Sequence, residues 1–182
     1  MKPVEVMIVE DEAIVGIDIQ ENLVNFGYKV VGISSSGEAA IEDAIKNKPE
    51  IILMDIQLNG KLDGIETAKQ IRKKLGIPII YLTAYGDDKT LSKALEASPS
   101  GYLLKPFVPR ELHTSIQTAL YKNSIDKETK LARLSYIQKN ILKKNTLKKR
   151  LQRAQENYNY PPLQKEKRLD RLKYIREMVI AK

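Results

Sequence analysis

The chain has 182 residues, of which 42% are hydrophobic, and its 31 Lys and Arg exceed its 23 Asp and Glu to give a net charge of +8. This length allows one domain of ordinary size with a smaller extension, because domains average about 100–200 residues. The absence of Cys excludes a disulfide scaffold, a thiolate zinc site and a Cys nucleophile, while the single His113 excludes a multi-histidine metal site.

The predicted elements alternate through the first two thirds of the chain. Short runs rich in Val and Ile, interpreted as strands, are Val6–Val9, Lys29–Ile33, Ile51–Met54, Ile79–Leu82 and Tyr102–Leu104. Amphipathic stretches with apolar residues three or four apart, interpreted as helices, are Ala13–Phe26, Gly37–Lys46, Gly64–Leu75, Lys89–Ala97 and Pro109–Tyr121. Continuous apolar strands that alternate with helices predict an α/β fold with a doubly wound, five-stranded parallel sheet.

The charge changes sign after Lys122. Residues 1–122 hold 14 Lys and Arg against 17 Asp and Glu, a net charge of −3, whereas residues 123–182 hold 17 against 6, a net charge of +11. No Gly or Pro occurs from Arg110 to Tyr160, which is typical of helices. We therefore expect a globular domain over residues 1–122 and a basic helical extension over residues 123–182.

The start of the extension has two interpretations. Either the helix that begins at Pro109 continues to about Tyr158, or a new helix begins at caps supplied by Asn123, Ser124 and Asp126. Beyond Pro161 and Pro162, the apolar spacing predicts a second helix from Leu169 to Val179. Three roles for the extension stay open, namely an interaction element for a second copy or another protein, a nucleic-acid-binding element, and a solvated tail.

Polar side chains stand at the carboxyl ends of four predicted strands, where open parallel sheets form their sites. They are Glu10 and Asp11, Asp55, Thr83, and Lys105. Crowded carboxylates favour a hard cation such as Mg²⁺, and a carboxylate can attack phosphorus to form an acyl phosphate. A lysine and a hydroxyl can hold further phosphate oxygens, so the set predicts a phosphoryl-transfer site with Asp55 as the nucleophile.

Two other classes of site fit the residues less well. A haloacid-dehalogenase-type phosphatase needs an acid two residues after its nucleophile, where this chain has Gln57. A nucleotide-binding module needs a Gly-rich loop after the first strand, whereas Glu10, Asp11 and Glu12 would repel phosphate there. His113 follows Leu112 in a predicted helix, and we interpret it as a partly exposed helical side chain.

The segments VEDE, MDIQL with DG after it, LTA and YLLKPF resemble the receiver domain of two-component response regulators, of the chemotaxis-regulator type, from residue 4 to about residue 121. The resemblance implies a flavodoxin-like fold and a signalling switch that catalyses only its own phosphorylation and dephosphorylation. A sensor histidine kinase would be the phosphoryl donor and Asp55 the acceptor. The loop that begins at Leu58 is longer than the common family form, and we expect no loss of function from it.

The resemblance also implies roles for individual residues. Glu10, Asp11, Asp55 and the backbone carbonyl of Gln57 would bind Mg²⁺, with Mn²⁺ as the alternative ion. Lys105 would pair with the phosphoryl group and precede a cis peptide bond to Pro106. Thr83 and Tyr102 would form the switch pair, in which the hydroxyl turns towards the phosphate and the aromatic ring rotates inward.

The expected partners follow from these assignments. They are a sensor histidine kinase and a second copy of the chain, bound through the domain face or the extension. The alternative function is a transcriptional or RNA-level regulator whose basic extension binds nucleic acid. The first residues contain acids where a signal peptide needs an apolar stretch, and no run of about 18 apolar residues follows, so we expect a cytoplasmic protein with no membrane partner.

Overall fold

The computed structural model describes residues 2–84 and 99–157, with side chains in the final helix described up to Arg153. Its strands are β1 (Glu5–Val9), β2 (Lys29–Ser34), β3 (Ile51–Asp55), β4 (Ile79–Ala84) and β5 (Gly101–Lys105). Its helices are α1 (Ala13–Asn25), α2 (Gly37–Asn47), α3 (Gly64–Leu75) and α4 (Pro109–Asn157). The helices predicted over Lys89–Ala97 and Leu169–Val179 lie outside the described residues.

The five strands form one parallel sheet in the order β2-β1-β3-β4-β5. The strand order reverses at β1, which lies between β2 and β3, so the carboxyl ends of β1 and β3 meet at the switch point of a doubly wound sheet. The predicted fold class is therefore confirmed, with strand ends that differ from the predicted ones by one or two residues. Extension of β3 and β5 by one residue brings Asp55 and Lys105 into the strands themselves.

Apolar side chains cover both faces of the sheet, because residues along a strand point alternately to opposite sides. On one face, Met7 and Val9 pack with buried residues of α2 and α3, among them Ala44 and Ile71. On the other face, the buried residues are those of β1, β3, β4, α1 and the first turns of α4, including Val6, Ile8, Leu23, Leu112 and Ile116. Full burial of one such side chain stabilises the fold by about 1.5–3 kcal/mol, which holds the strand ends in a fixed register.

Helix α4 runs without a break from Pro109 to Asn157. The interpretation with a continuous helix is confirmed, and the one with a new start at residues 123–126 is wrong. The reason lies in Ser124, whose Oγ donates to the carbonyl of Tyr121 at 2.7 Å and so bonds within the helix instead of capping a new one.

The chain forms two units, residues 1–127 and 128–182, and α4 contributes residues to both. The domain boundary expected after Lys122 stays a prediction. Among the described residues, no helix combines the length and the apolar character that crossing a bilayer requires.

Candidate functional site

The strand register brings the predicted site residues to one edge of the sheet. Val9 pairs with Met54, so Glu10 and Asp55 follow at neighbouring strand ends, and Ala84 at the end of β4 pairs with Lys105 at the end of β5. The Lys105 side chain reaches across from β5, with Nζ 2.5 Å from Asp55 Oδ2 and 2.6 Å from Glu10 Oε2. One ammonium therefore binds two carboxylates from two other strands.

This ion cluster is largely withdrawn from water. Glu10 is 1% exposed and Asp55 is 7% exposed, while the Lys105 side chain keeps 20% of its surface in contact with solvent. Burial by itself lowers the pKa of Lys105, but the hydrogen bonds to Asp55 and Glu10 outweigh it and hold that pKa above its usual value. Lys105 is consequently a permanent cation at neutral pH, fixed beside the predicted nucleophile.

Three carboxylates converge at the same place. One oxygen each from Glu10, Asp11 and Asp55 lies within 4.8 Å of the other two. If all three groups are ionised, the single ammonium of Lys105 leaves a net charge of −2, which one divalent cation would cancel. Carboxylate oxygens are also the hard ligands that Mg²⁺ takes, so the residues present fit such an ion.

Asp55 is held in one orientation from both sides. Its Oδ1 accepts a hydrogen bond from the backbone N–H of Gln57 at 2.9 Å, while its Oδ2 accepts from Lys105. Behind it, Gly64 approaches so closely that a Cβ there would lie 1.8 Å from the carbonyl oxygen of Asp55. Only glycine fits at this first residue of α3, which gives the DG of the sequence a steric reason.

The side chain of Asp63, the residue before Gly64, fixes the start of α3. Asp63 Oδ1 accepts a hydrogen bond from the backbone N–H of Glu66 at 2.7 Å and so caps the helix. The backbone N–H of Gly64 donates to the carbonyl of Ile56 at 3.0 Å, which closes the loop between β3 and α3. The loop after the predicted nucleophile is thus tied at both of its ends.

Asn59, on this lengthened loop, is a site residue that the sequence reasoning missed. Its Nδ2 donates to Oδ2 of Asp11, the one carboxylate of the cluster that does not contact Lys105. The only available signal was the length of the loop, which is rich in polar residues and follows the predicted nucleophile. Asp11 therefore accepts a hydrogen bond from a neutral amide and keeps its charge uncompensated, whereas Glu10 and Asp55 share an ammonium.

The two residues of the predicted switch pair have different surroundings. Thr83 lies on β4 and its Oγ1 donates to the carbonyl of Ala84 at 3.1 Å. Tyr102 packs against the core with its ring centroid 5.8 Å from that of Tyr81, and its hydroxyl is buried without a hydrogen-bond partner among the described residues. The hydroxyl of Thr83 is therefore bonded to its own strand, and the ring of Tyr102 is packed against the core.

An open cleft of about 660 Å³ lies over the cluster. Asp11, Asp55, Gln57, Asn59 and Lys105 are among the residues that line it. The Lys105–Pro106 peptide bond is cis. The cleft has room for a phosphoryl group together with a hydrated cation, and every polar group that the sequence predicts for such a site, apart from the switch pair, lies in it or beneath it.

Comparison with known proteins adds independent information. The sequence model of the protein family described as the response regulator receiver domain matches residues 6–117 of this chain. The receiver domain of a modulated diguanylate cyclase from Desulfovibrio desulfuricans G20 is 37% identical, with a TM-score of 0.66 over 69% of this chain and 99% of that one.

Curated relatives match about two thirds of the chain. The transcriptional regulatory protein PdtaR of Mycobacterium tuberculosis H37Rv is 36% identical over 118 residues, which are 65% of this chain and 57% of that protein. The alkaline phosphatase synthesis transcriptional regulatory protein PhoP of Bacillus subtilis 168 is 38% identical over 122 residues, which are 66% of this chain and 50% of that protein. The matched region thus spans about half the length of these relatives.

Proposed function

The chain belongs to the response regulator receiver family, and from this premise we propose that it is a phosphorelay switch that accepts a phosphoryl group on Asp55 from a sensor histidine kinase. One observation carries the proposal. Asp55 lies almost buried at the end of β3, with Lys105 bonded to it and two further carboxylates beside it. A structural aspartate at a strand end needs neither the buried lysine nor the acidic neighbours.

The proposed transfer uses groups that are already in position. A carboxylate oxygen of Asp55 attacks phosphorus, the new P–O bond forms, and the P–N bond to the kinase histidine breaks with its electron pair retained by the imidazole nitrogen. Lys105 stays protonated and exchanges its bond to the Asp55 carboxylate for one to a phosphoryl oxygen. The N–H of Gln57 keeps the carboxylate facing the cleft throughout.

We further propose that Glu10, Asp11, Asp55 and the backbone carbonyl of Gln57 hold Mg²⁺, or Mn²⁺ in its place. When bound, such an ion supplies charge neutralisation for the phosphoryl oxygens. Support comes from the three convergent carboxylates and from their excess of negative charge over Lys105. The chain would then catalyse only its own phosphorylation and the later hydrolysis.

Thr83 and Tyr102 are proposed to relay the modification. A phosphoryl dianion on Asp55 would offer the Thr83 hydroxyl a stronger acceptor than its present partner, the carbonyl of Ala84. The unpartnered hydroxyl of Tyr102 supports a role for that ring as a movable element, because a buried hydroxyl without a partner is costly to keep. The face formed by β4 and β5 would change with phosphorylation.

The other parts of the proposal concern organisation and partners. Residues 1–122 would be the receiver domain and residues 123–182 the output or interaction element, and self-association through either would be the response to phosphorylation. A nucleic acid at the basic extension would make the chain a transcriptional or RNA-level regulator, and two of its relatives are named transcriptional regulatory proteins. A kinase that draws its phosphoryl group from ATP implies a cytoplasmic location.

Treatment with acetyl phosphate, followed by intact-mass measurement, tests the acceptor. The wild-type chain should gain the mass of one phosphoryl group when the reaction contains Mg²⁺ and should gain nothing when the reaction contains a chelator instead. Asp55→Asn should gain nothing, whereas the control Asp63→Asn, which alters the α3 cap, should still be phosphorylated. Equal phosphorylation of Asp55→Asn at a single site would overturn the assignment of the nucleophile.

A further inference from the structure

Helix α4 contains a long segment without acids. Residues 129–155 hold nine Lys and Arg and no Asp or Glu. A carboxylate three or four residues from a cation stabilises an exposed helix, and this segment has no such carboxylate within it. Within the described residues, none of these nine cations forms an ion pair. We call residues 129–155 the basic segment.

The cations of the basic segment form two rows on the helix. At about 100° per residue, one row of four lies within an arc of about 80° and a second row of four lies within about 60°, and their centres are about 150° apart. The first row is Lys139, Lys143, Arg150 and Arg153. The second row is Lys130, Arg133, Lys144 and Lys148. The helix therefore presents positive charge on two nearly opposite sides.

The apolar side chains of the same segment do not form a single face. Five of them, Leu131, Leu134, Ile137, Ile141 and Leu142, lie within an arc of about 140°. Leu147 and Leu151 lie outside that arc: Leu147 lies between the two basic rows on the other side of the helix, and Leu151 lies at the edge of the second row, at the angle of Arg133. A helix that lies in a membrane surface needs one continuous apolar face opposite one charged face, so this pattern disfavours a lipid partner.

From these observations we propose that the basic segment binds the phosphate backbone of duplex DNA by lying in the major groove. An α-helix with side chains is about 10–12 Å across, and the major groove of B-DNA is about 12 Å wide, with a phosphate strand along each wall. Two basic rows on opposite sides of one helix match two phosphate walls, whereas a single row would suffice for one strand. The proposal does not depend on the phosphoryl site.

Double-stranded RNA fits the same helix less well. The major groove of A-form RNA is deep and narrow, so a helix cannot enter it and only one row could reach phosphates at the surface. The contacts proposed here are with phosphates, so they give affinity and orientation without base specificity. Counterion release then predicts a strong salt dependence.

Fluorescence anisotropy with a labelled 30-base-pair duplex, measured on the full chain over a salt series, tests the proposal. With both rows engaged, the slope of log K against log salt should lie between about −3.6 and −7.2, at about −0.9 for each phosphate contact. Affinity should then fall at least about 150-fold between about 50 mM and 200 mM salt. Single-stranded RNA of equal length and anionic vesicles serve as competing ligands.

Three charge-matched variants locate the binding surface, each with four cations replaced by Gln, which keeps helix propensity nearly constant. The first removes one row: K139Q, K143Q, R150Q and R153Q. The second removes the other row: K130Q, R133Q, K144Q and K148Q. The control removes four exposed lysines of α2 and α3: K46Q, K69Q, K73Q and K74Q.

Each row variant should make the salt slope shallower by about 1.8–3.6 and weaken binding at least tenfold at about 0.1 M salt, while the control should keep the wild-type slope. Far-ultraviolet circular dichroism verifies that the helix content of all three is unchanged. Four results would each overturn the proposal: no binding at about 50 mM salt, an equal loss in the control, an effect from one row only, or tighter binding of single-stranded RNA or vesicles than of duplex DNA.

Discussion

Replacement of Lys105 by Met tests the ion cluster on which the candidate site is built. The variant keeps the length of the side chain but removes the ammonium that lies 2.5 Å from Asp55 and 2.6 Å from Glu10. Both carboxylates are then left buried without a cation. Breaking a buried ion pair by removal of one partner costs about 3–5 kcal/mol. Because Lys105 itself is partly exposed, we expect the lower end, about 3 kcal/mol.

Urea unfolding at neutral pH with a chelator present measures this loss. For a slope of about 1–3 kcal/mol per molar urea, a loss of about 3 kcal/mol moves the midpoint down by about 1–3 M. The matched control is Lys74→Met, at an exposed position near the end of α3, which should change the free energy of unfolding by less than about 0.5 kcal/mol. The difference between the two variants isolates the buried position.

Magnesium should reverse most of the effect, because a divalent cation can replace the missing charge among the three carboxylates. At a concentration of about 100 times its Kd, a ligand that binds only the folded chain adds about 2.7 kcal/mol to the free energy of unfolding. If Lys105→Met is as stable as the wild type in the chelator, the cluster is not an ion pair in solution. If Mg²⁺ raises the free energy of unfolding of neither Lys105→Met nor Lys74→Met, the carboxylates do not form the proposed metal site.

Three further predictions concern other residues of the domain. Asn59→Ala removes the amide that bonds to the Asp11 carboxylate. Calorimetric titration should therefore find Mg²⁺ bound about 3–10-fold more tightly to this variant than to the wild type. Unchanged or weaker binding would contradict the contact between Asn59 and Asp11. Burial raises the pKa of Tyr81 to about 12, above an unfolded value of about 10, so its contribution to stability is complete below pH 10 and is lost as pH rises towards 12. That loss amounts to about 2.7 kcal/mol in the wild type. Between pH 10 and pH 12 the free energy of unfolding of Tyr81→Phe should therefore decrease by about 2.7 kcal/mol less than that of the wild type. Parallel plots of stability against pH for the two proteins would refute the raised pKa of Tyr81. Gly64→Ala should lower the free energy of unfolding by about 1–3 kcal/mol, because its Cβ would strike the backbone of Asp55. The control Gly101→Ala, whose Cβ would lie 3.5 Å from the Ile80 side chain, should change it far less. Equal effects of the two substitutions would contradict the steric explanation.

The sheet and the strand-end residues could be predicted because they follow from local patterns. Parallel strands buried on both faces read as apolar runs, and their carboxyl ends share one edge, so Glu10, Asp55 and Lys105 were expected together. The double contact of Lys105 could not be predicted. It depends on how far β5 lies from β1 and β3, which is set by packing across the whole sheet.

Other features depended on contacts between distant parts of the chain. The bond from Asn59 to Asp11 joins residues 48 positions apart, and no local pattern reports it. The continuity of α4 was equally open in the sequence, because Ser124 can either cap a helix or bond to a carbonyl within one. The structure selects the second geometry, and that choice creates the uninterrupted basic segment.

The identity of the phosphoryl acceptor is tested most directly by locating the phosphoryl group on the chain. Phosphorylated protein is reduced with borohydride, which converts an aspartyl phosphate to homoserine, and the peptides are then sequenced by mass spectrometry. We predict homoserine at position 55 alone, formed only when Mg²⁺ or Mn²⁺ was present during phosphorylation. Homoserine at Asp11 or at any other acid, with Asp55 unmodified, would contradict it.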